Sequence, residues 1–311
     1  MNAKVNRLLT AEDGESAESI ENLSVPCVLG EAVLTAFLLP SRIRFGGRAV
    51  GVIALLSDFG TTDGYAGIMH GVILRINPTA VVVDVCHDIP PQDVHAAAFV
   101  LSTVYPYFAE DTVHVVVVDP GVGSERRALG VRTLRGTFVA PDNGVLSYVL
   151  REPALEVVQL TDARYWLSPL GSTFHGRDVF APVAAHLSQG VPLSEMGDII
   201  QDPIHFPIAE ALVRDDGSIS GQVLHVDRFG NLITNIQPEL LVVGQSLRVH
   251  IAGREVDGLA TAYAQVADGQ LLALYGSSGY LEVAVRNGNA AAILKVGRGA
   301  GVVVIPGTQG V

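Results

Sequence analysis

Three short runs of β-branched apolar residues punctuate the first half of the chain: Val52–Leu56 (VIALL), Val81–Val85 (VVVDV) and Val113–Val118 (VHVVVV). Unbroken apolar runs of this length read as strands covered on both faces. The stretches between them read as helices. Gly64–Ile76 closes before Pro78, and Gln92–Val104 starts just after Pro90 and Pro91. Strand–helix–strand alternation predicts an α/β domain with a mainly parallel sheet flanked by helices. Loops that carry ligands then belong beyond the carboxyl ends of the strands. A further helix is expected around Ala181–Leu187.

After Pro203 and Pro207 the pattern changes. Ile219–His225, Leu247–Ile251, Leu271–Tyr275, Leu281–Val285 and Ala292–Val296 are short apolar or alternating segments separated by Gly, Asp and Asn. Only Gln237–Leu241 has any helical character. This reads as a C-terminal all-β barrel or sandwich. Met1–Ser24 is polar, and Pro26 and Pro40 interrupt the apolar stretch that follows. The expected organisation is a loose extension over 1–49, an α/β domain over 50–205 and a β-barrel over 206–311.

Composition narrows the classes. Of 311 residues 49% are apolar and 17% charged, which is globular, and the net charge is −12. An acidic chain without a basic cluster argues against nucleic acid as a partner. Cys27 and Cys86 are too few for a disulfide scaffold and lack metal-type spacing. Val25–Pro40 carries Glu31 and is too short to span a bilayer, and the first residues lack the marks of a signal peptide. The reading is a cytoplasmic protein without a membrane partner. No Walker loop, GxGxxG, HExxH, GxSxG or Cys/His cluster occurs, so metal, nucleoside triphosphate and serine-nucleophile chemistries have no sequence support.

Five motifs carry possible chemistry. Ser57–Gly64 (SDFGTTDG) follows the first strand. Its Asp58 can accept both hydroxyls of a ribose or equally cap the next helix, and Asp63 is a second candidate contact. Val115–Gly123 (VVVVDPGVG) places Asp119 at the mouth of a dry core, where a carboxylate can orient a water, and Ser124-Glu125-Arg126-Arg127 follows. The bland reading of this stretch is a solvated Asp and a surface Arg pair. In Thr173–Asp178 (TFHGRD), His175 can relay a proton or be structural. In Asp227–Asn235 (DRFGNLITN), Asp227 can pair with an ammonium, Phe229 offers a stacking face, and Asn231 offers a donor and an acceptor. The alternative there is an ordinary β-turn. Tyr275–Glu282 (YGSSGYLE) presents Ser277, Ser278 and Glu282, and Arg286-Asn287 precedes a small-residue stretch where a flat base could meet the backbone. Alone, that segment reads as a hairpin with a polar tip.

Taken together and in this order, the motifs resemble the S-adenosyl-L-methionine (SAM) hydroxide adenosyltransferase family, related to the enzymes that make 5′-halogenated adenosines. The resemblance covers roughly Val52 to Val304. It implies an α/β domain, a C-terminal β-barrel, and a homotrimer with sites between the N-terminal domain of one subunit and the C-terminal domain of its neighbour. It marks the hydrolytic branch by an Asp–Arg–His set, here Asp119, Arg126 and His175. Halogenating relatives carry Tyr in place of Asp119, and the fluorinating branch has a long insertion before the segment matching Val139–Gly144. The resemblance further implies that Asp58 holds the ribose and that Phe229, Asn231, Arg286 and Asn287 flank the adenine. Asp227 would meet the methionine ammonium, and Ser277 and Ser278 its carboxylate. Ser278 stands where halogenating relatives carry Arg. SAM is then the substrate, with no cofactor and no metal. The expected reaction is attack of an activated water on the ribose C5′, with Asp119 or His175 taking the proton. Three other readings remain at this point: a chloride-using adenosyl transferase, a non-catalytic SAM or adenosine sensor, and a protein with an unrelated ligand.

Overall fold

The computed structural model describes residues 51–241 and 246–307, preceded by the backbone of a two-stranded hairpin, β1 (Arg44–Phe45) and β2 (Arg48–Ala49). Of the loose extension expected over 1–49, residues 1–43, Cys27 among them, lie outside the described residues.

The apolar runs form the first sheet. It is seven-stranded, in the order β4-β3-β5-β7-β6-β8-β9. Its strands are β3 (Val52–Ser57), β4 (Val81–Cys86), β5 (Val113–Val117), β6 (Ala128–Thr133), β7 (Gly136–Pro141), β8 (Glu156–Leu160) and β9 (Gly197–Ile199). The pairs β3–β4, β3–β5 and β5–β7 are parallel, while β6 enters as the antiparallel half of a hairpin with β7. Helices α1 (Tyr65–Ile76) and α3 (Ala181–Ser188) pack with Ile53, Leu55, Val115 and Val117 in one apolar layer. Helix α2 (Val94–Val104) packs with Leu56, Val116 and Phe138 in another. The sheet is thereby covered on both faces, as the unbroken apolar runs require. One run departs from that reading: β4 is an edge strand, and Val81 is exposed. Its valines suit an extended backbone without being enclosed.

The second sheet holds eight strands, all antiparallel, and nearly closes into a barrel. Its path runs β14-β13-β17-β11-β12-β16-β15, with β10 (Leu212–Val213) added beside β11. The strands are β11 (Ile219–Val226), β12 (Leu232–Thr234), β13 (Leu247–Ile251), β14 (Arg254–Asp257), β15 (Leu271–Tyr275), β16 (Leu281–Val285) and β17 (Gly301–Pro306). Beyond β14, the Ala260 N–H bonds the Ala273 carbonyl on β15 and draws the two ends together. The strand expected at Ala292–Val296 is instead a helix, α4 (Ala290–Leu294). Asn289 caps it by accepting the Ala292 N–H, and alanines favour the helical state. The barrel strand comes later, at β17. Gln237–Leu241 contains only a short 3₁₀ turn, Pro238–Leu240.

Helix α2 also contacts the barrel. Phe99 stacks on His225 with centroids 5.0 Å apart, and Arg298 pairs with Asp93 at 2.7 Å. Among the described residues no helix is long and apolar enough to cross a membrane.

His114 lies inside the α/β layers, stacked on Phe138 at 5.0 Å, and its Nε2 has no hydrogen-bond partner among the described residues. Burial pushes its pKa down from 6.5 to about 4. The unfolded chain therefore takes up this proton before the folded chain does. Stability is full above the ordinary histidine value and falls as pH drops toward 4, by up to ~1.4 kcal/mol per pH unit. Urea unfolding at stepped pH should show this slope, and His114→Phe should flatten it.

Candidate active site

Adjacent parallel strands place two acidic loops at one edge of the first sheet. Ser57 of β3 lies opposite Val117 of β5, so Asp58 and Asp119 emerge at the same carboxyl ends. Val118 is fully buried, and the Asn143 side chain binds its carbonyl at 2.9 Å, fixing the strand end just before Asp119.

Asp119, Arg126 and His175 form one hydrogen-bonded chain. Arg126 Nε lies 2.9 and 3.0 Å from the two Asp119 oxygens, and Nη2 lies 2.5 Å from Oδ2. The same Nη2 is 2.7 Å from His175 Nδ1. Both Asp119 and Arg126 side chains are largely buried, and the guanidinium sits over the Phe180 ring at 5.4 Å. These are not the solvated Asp and surface Arg of the bland reading. Arg127 turns the other way, to Asp142 and Asp202.

The chain fixes a proton position. A guanidinium has donors only, so His175 Nδ1 must accept. A neutral imidazole that accepts at Nδ1 carries its hydrogen on Nε2. Burial, and then the Arg126 charge, hold His175 below its ordinary pKa and so keep it neutral.

Local sequence explains how His175 is held. It precedes a π-helical turn, Gly176–Phe180, that runs into α3. Such turns re-aim side chains and recur at functional sites. Asp178 is buried there, binds the Arg177 guanidinium and accepts the Gly171 N–H at 2.9 Å, closing the loop before His175. Phe174 meets Phe59 and Tyr65 edge-on, at 5.5 and 5.2 Å, and joins the His175 loop to the Asp58 loop. Asp63 is exposed in the turn that leads into α1.

The barrel gathers the other candidates. A cavity of about 1220 Å³ is lined by Asp227, Phe229, Asn231, Ser277, Ser278, Glu282, Arg286 and Asn287, together with residues of α2. Phe229 is 73% exposed at its rim, while Asn231 is buried. Arg286 is committed: Nη1 binds the Val266 carbonyl at 2.6 Å, and Nε pairs with Asp268 at 2.8 Å. Ser278 Oγ is buried and has no partner among the described residues. The cavity lining includes none of Asp58, Asp63, Asp119, Arg126 and His175. The candidates therefore fall into two groups on one chain, each at its own place.

Sequence reasoning missed three contributors. The Gln92 N–H binds Asp58 Oδ2 at 2.7 Å, with Gln92 at a φ of +65°. Only the preceding Pro90-Pro91 hinted at a constrained backbone here. His87 binds Ser57 Oγ at 2.6 Å and Asp84 at 3.0 Å, and Asp84 also takes His70 at 2.7 Å. Burial opposes ionisation of Asp84, but the two histidine hydrogen bonds outweigh it and hold its carboxyl below the usual range. This relay stitches the Asp58 loop to β4. The third is Tyr263, whose hydroxyl donates to Glu282 at 2.5 Å.

Two family models match this chain, one in the region of each sheet. Residues 53–197 match the model of the SAM hydroxide adenosyltransferase N-terminal domain, and residues 221–303 match that of its C-terminal domain. An (R)-S-adenosyl-L-methionine hydrolase from Salinispora tropica is 39% identical over 78% of this chain and 94% of its own length. A fluorinase from Actinopolyspora mzabensis is 30% identical over 61% of this chain and 73% of its own. A crystal structure of an uncharacterized conserved protein from Thermotoga maritima superposes with a TM-score of 0.77 at 36% identity, over 81% of this chain and 99% of that one.

Two glycines in these loops separate conformation from space. Gly60 and Gly123 both have positive φ, at +66° and +77°. A Cβ on Gly60 would meet nothing within 4 Å, whereas one on Gly123 would lie 2.3 Å from the Ser172 carbonyl oxygen. Gly60→Ala is expected to cost about 1–2 kcal/mol from its left-handed backbone alone. Gly123→Ala should cost at least twice that and displace the Asp119 loop from the His175 loop. Urea midpoints of the two variants measure the difference.

Proposed function

Because the chain belongs to the SAM hydroxide adenosyltransferase family, we propose that it hydrolyses SAM to adenosine and L-methionine. The observation that carries this reading is the hydrogen-bonded set Asp119–Arg126–His175, whose side chains suit the handling of a water. SAM is the substrate and no cofactor takes part. The relatives named hydrolases, which match over nearly their whole length, support the same choice.

The chemistry is a displacement at carbon. Water oxygen attacks the ribose C5′ and the C5′–S bond breaks. The sulfur keeps the electron pair and leaves as a neutral thioether, so no general acid is needed. The water proton goes to a base. With Nε2 of His175 carrying a hydrogen, His175 orients the water by donating to it, and Asp119 takes the proton. Arg126 holds the carboxylate in line and offsets its desolvation. Asp58, pre-set by the Gln92 N–H, receives the ribose hydroxyls. The barrel pocket receives the adenine and the amino-acid end.

Two separate half-sites on one chain fit an assembly in which the first-sheet half of one subunit meets the barrel half of its neighbour, as a homotrimer. Mass measurement of the intact assembly tests this arrangement.

Incubation with SAM should release adenosine and methionine, and high chloride should not make 5′-chloroadenosine the main product. Asp119→Asn should lower kcat by roughly a hundredfold or more while SAM still binds. Near-normal turnover by that variant would refute the proposal. The acid limb of the pH–rate profile tests His175 separately. Since His175 titrates below its ordinary 6.5 and works as the neutral form, activity should persist below pH 6.5 and fall only in more acidic solution.

A further inference from the structure

The barrel pocket holds two carboxylates that are not equivalent. Asp227 is engaged in its own turn. Its Oδ1 takes the N–H groups of Phe229 and Asn231, and its Oδ2 takes the Asn231 side-chain amide, each at 2.9 Å. Glu282 stands on β16 and is only 4% exposed. Its Oε1 accepts the Tyr263 hydroxyl at 2.5 Å, and no hydrogen bond within the described residues reaches Oε2. A Cβ on Gly276 would fall 2.4 Å from Oε2, so glycine at that position leaves the oxygen its space.

A desolvated carboxylate needs a cation or a proton. Burial raises the pKa of Glu282, the Tyr263 hydrogen bond lowers it, and the neighbouring Asp227 charge raises it further; the net shift is upward, so no positive charge nearby among the described residues balances the carboxylate. Arg286, the cation that lines the same pocket, is taken by Asp268 and by the Ala264 and Val266 carbonyls. A cationic ligand group can therefore supply the positive charge that the pocket itself does not. A primary ammonium has three donors and no acceptor, and can serve two carboxylates at once. Beside this pair, the unpartnered Ser278 Oγ lines the pocket as a donor for the carboxylate of the same amino-acid group.

We propose that Glu282, oriented by the Tyr263 hydroxyl, receives the α-ammonium of the substrate together with Asp227, so that two carboxylates cradle one cation. This rests on SAM being the substrate. Glu282 and Tyr263 then select for the amino-acid end of the molecule, independently of its adenosine end.

The test compares wild type with Glu282→Gln, which keeps an acceptor for Tyr263 and removes only the charge. Three ligands are used: SAM, adenosine as product inhibitor, and the S-adenosyl sulfonium analogue without the α-amino group. Glu282→Gln should raise KM for SAM roughly tenfold or more, a larger effect than its effect on kcat. Inhibition by adenosine and by the amino-free analogue should change by less than about twofold. An unchanged KM for SAM overturns the proposal. So does an equal loss for adenosine, which makes Glu282 a structural prop, and so does an equal loss for the amino-free analogue, which makes the sulfonium the recognised charge. If Glu282→Gln does not fold, Tyr263→Phe carries the test: KM for SAM should rise while adenosine inhibition holds, and an unchanged KM overturns the proposal. Wild-type turnover is read first. If wild type binds SAM without cleaving it, the functional reading fails alone, and the same comparison proceeds with dissociation constants. If it does not bind SAM, the cradle falls too.

Discussion

One guanidinium organises the corner of the first sheet where the Asp119 and His175 loops meet. Arg126 donates to both oxygens of Asp119 and to His175 Nδ1, and it rests on the Phe180 ring. Asp119 leaves a strand whose preceding valines are all buried, so its charge would be costly without a partner. Breaking such a pair by removing one member costs on the order of 3–5 kcal/mol, because the remaining charge stays desolvated. The same contact sets the tautomer of His175. Stability of the corner and proton placement thus come from a single side chain, and the DPGVG turn, the Asn143 strap and the π-helical turn all serve to keep that side chain's partners within reach.

The topology supplies the rest. Parallel neighbours β3 and β5 end together, which puts Asp58 and Asp119 side by side without long loops. The aromatic contacts among Phe59, Tyr65 and Phe174 bring in the third loop. The barrel offers a different resource: a wide cavity lined by Asn231, in the turn just before β12, and by Glu282 on the neighbouring strand β16. A rigid sheet end suits the alignment of a nucleophile. An open barrel mouth suits the recognition of a large, flexible ligand.

Much of this was legible in the chain. Apolar runs ending in Asp-bearing turns located β3 and β5 to within a residue, because unbroken valines have few other uses. The eight barrel-side candidates were recognisable as motifs, and they do line one cavity. What the chain hid was mostly relational. Nothing in VVVDV distinguishes an edge strand from a central one, since the difference lies in what pairs with it. The small-residue stretch at 290–294 is apolar enough for a strand, and the Asn289 cap together with the helix-favouring alanines decides for helix. Gln92 acts through its backbone N–H, which no side-chain motif can advertise. Tyr263 and His87 matter through partners 19 and 30 residues away. The short β6–β7 hairpin, which turns the sheet from parallel to antiparallel pairing, also left little trace in the hydrophobic pattern.

The division of the site into two separate groups has a genetic consequence. Under the proposed interface arrangement, every working centre draws one half from each of two chains. A chain damaged only at Asp119 still carries a sound barrel half, and a chain damaged only at Asn231 still carries a sound sheet half. Neither would work alone. Allowed to assemble together, the two defective chains would reconstitute intact centres wherever the good halves meet, so that two null alleles in one cell would complement each other.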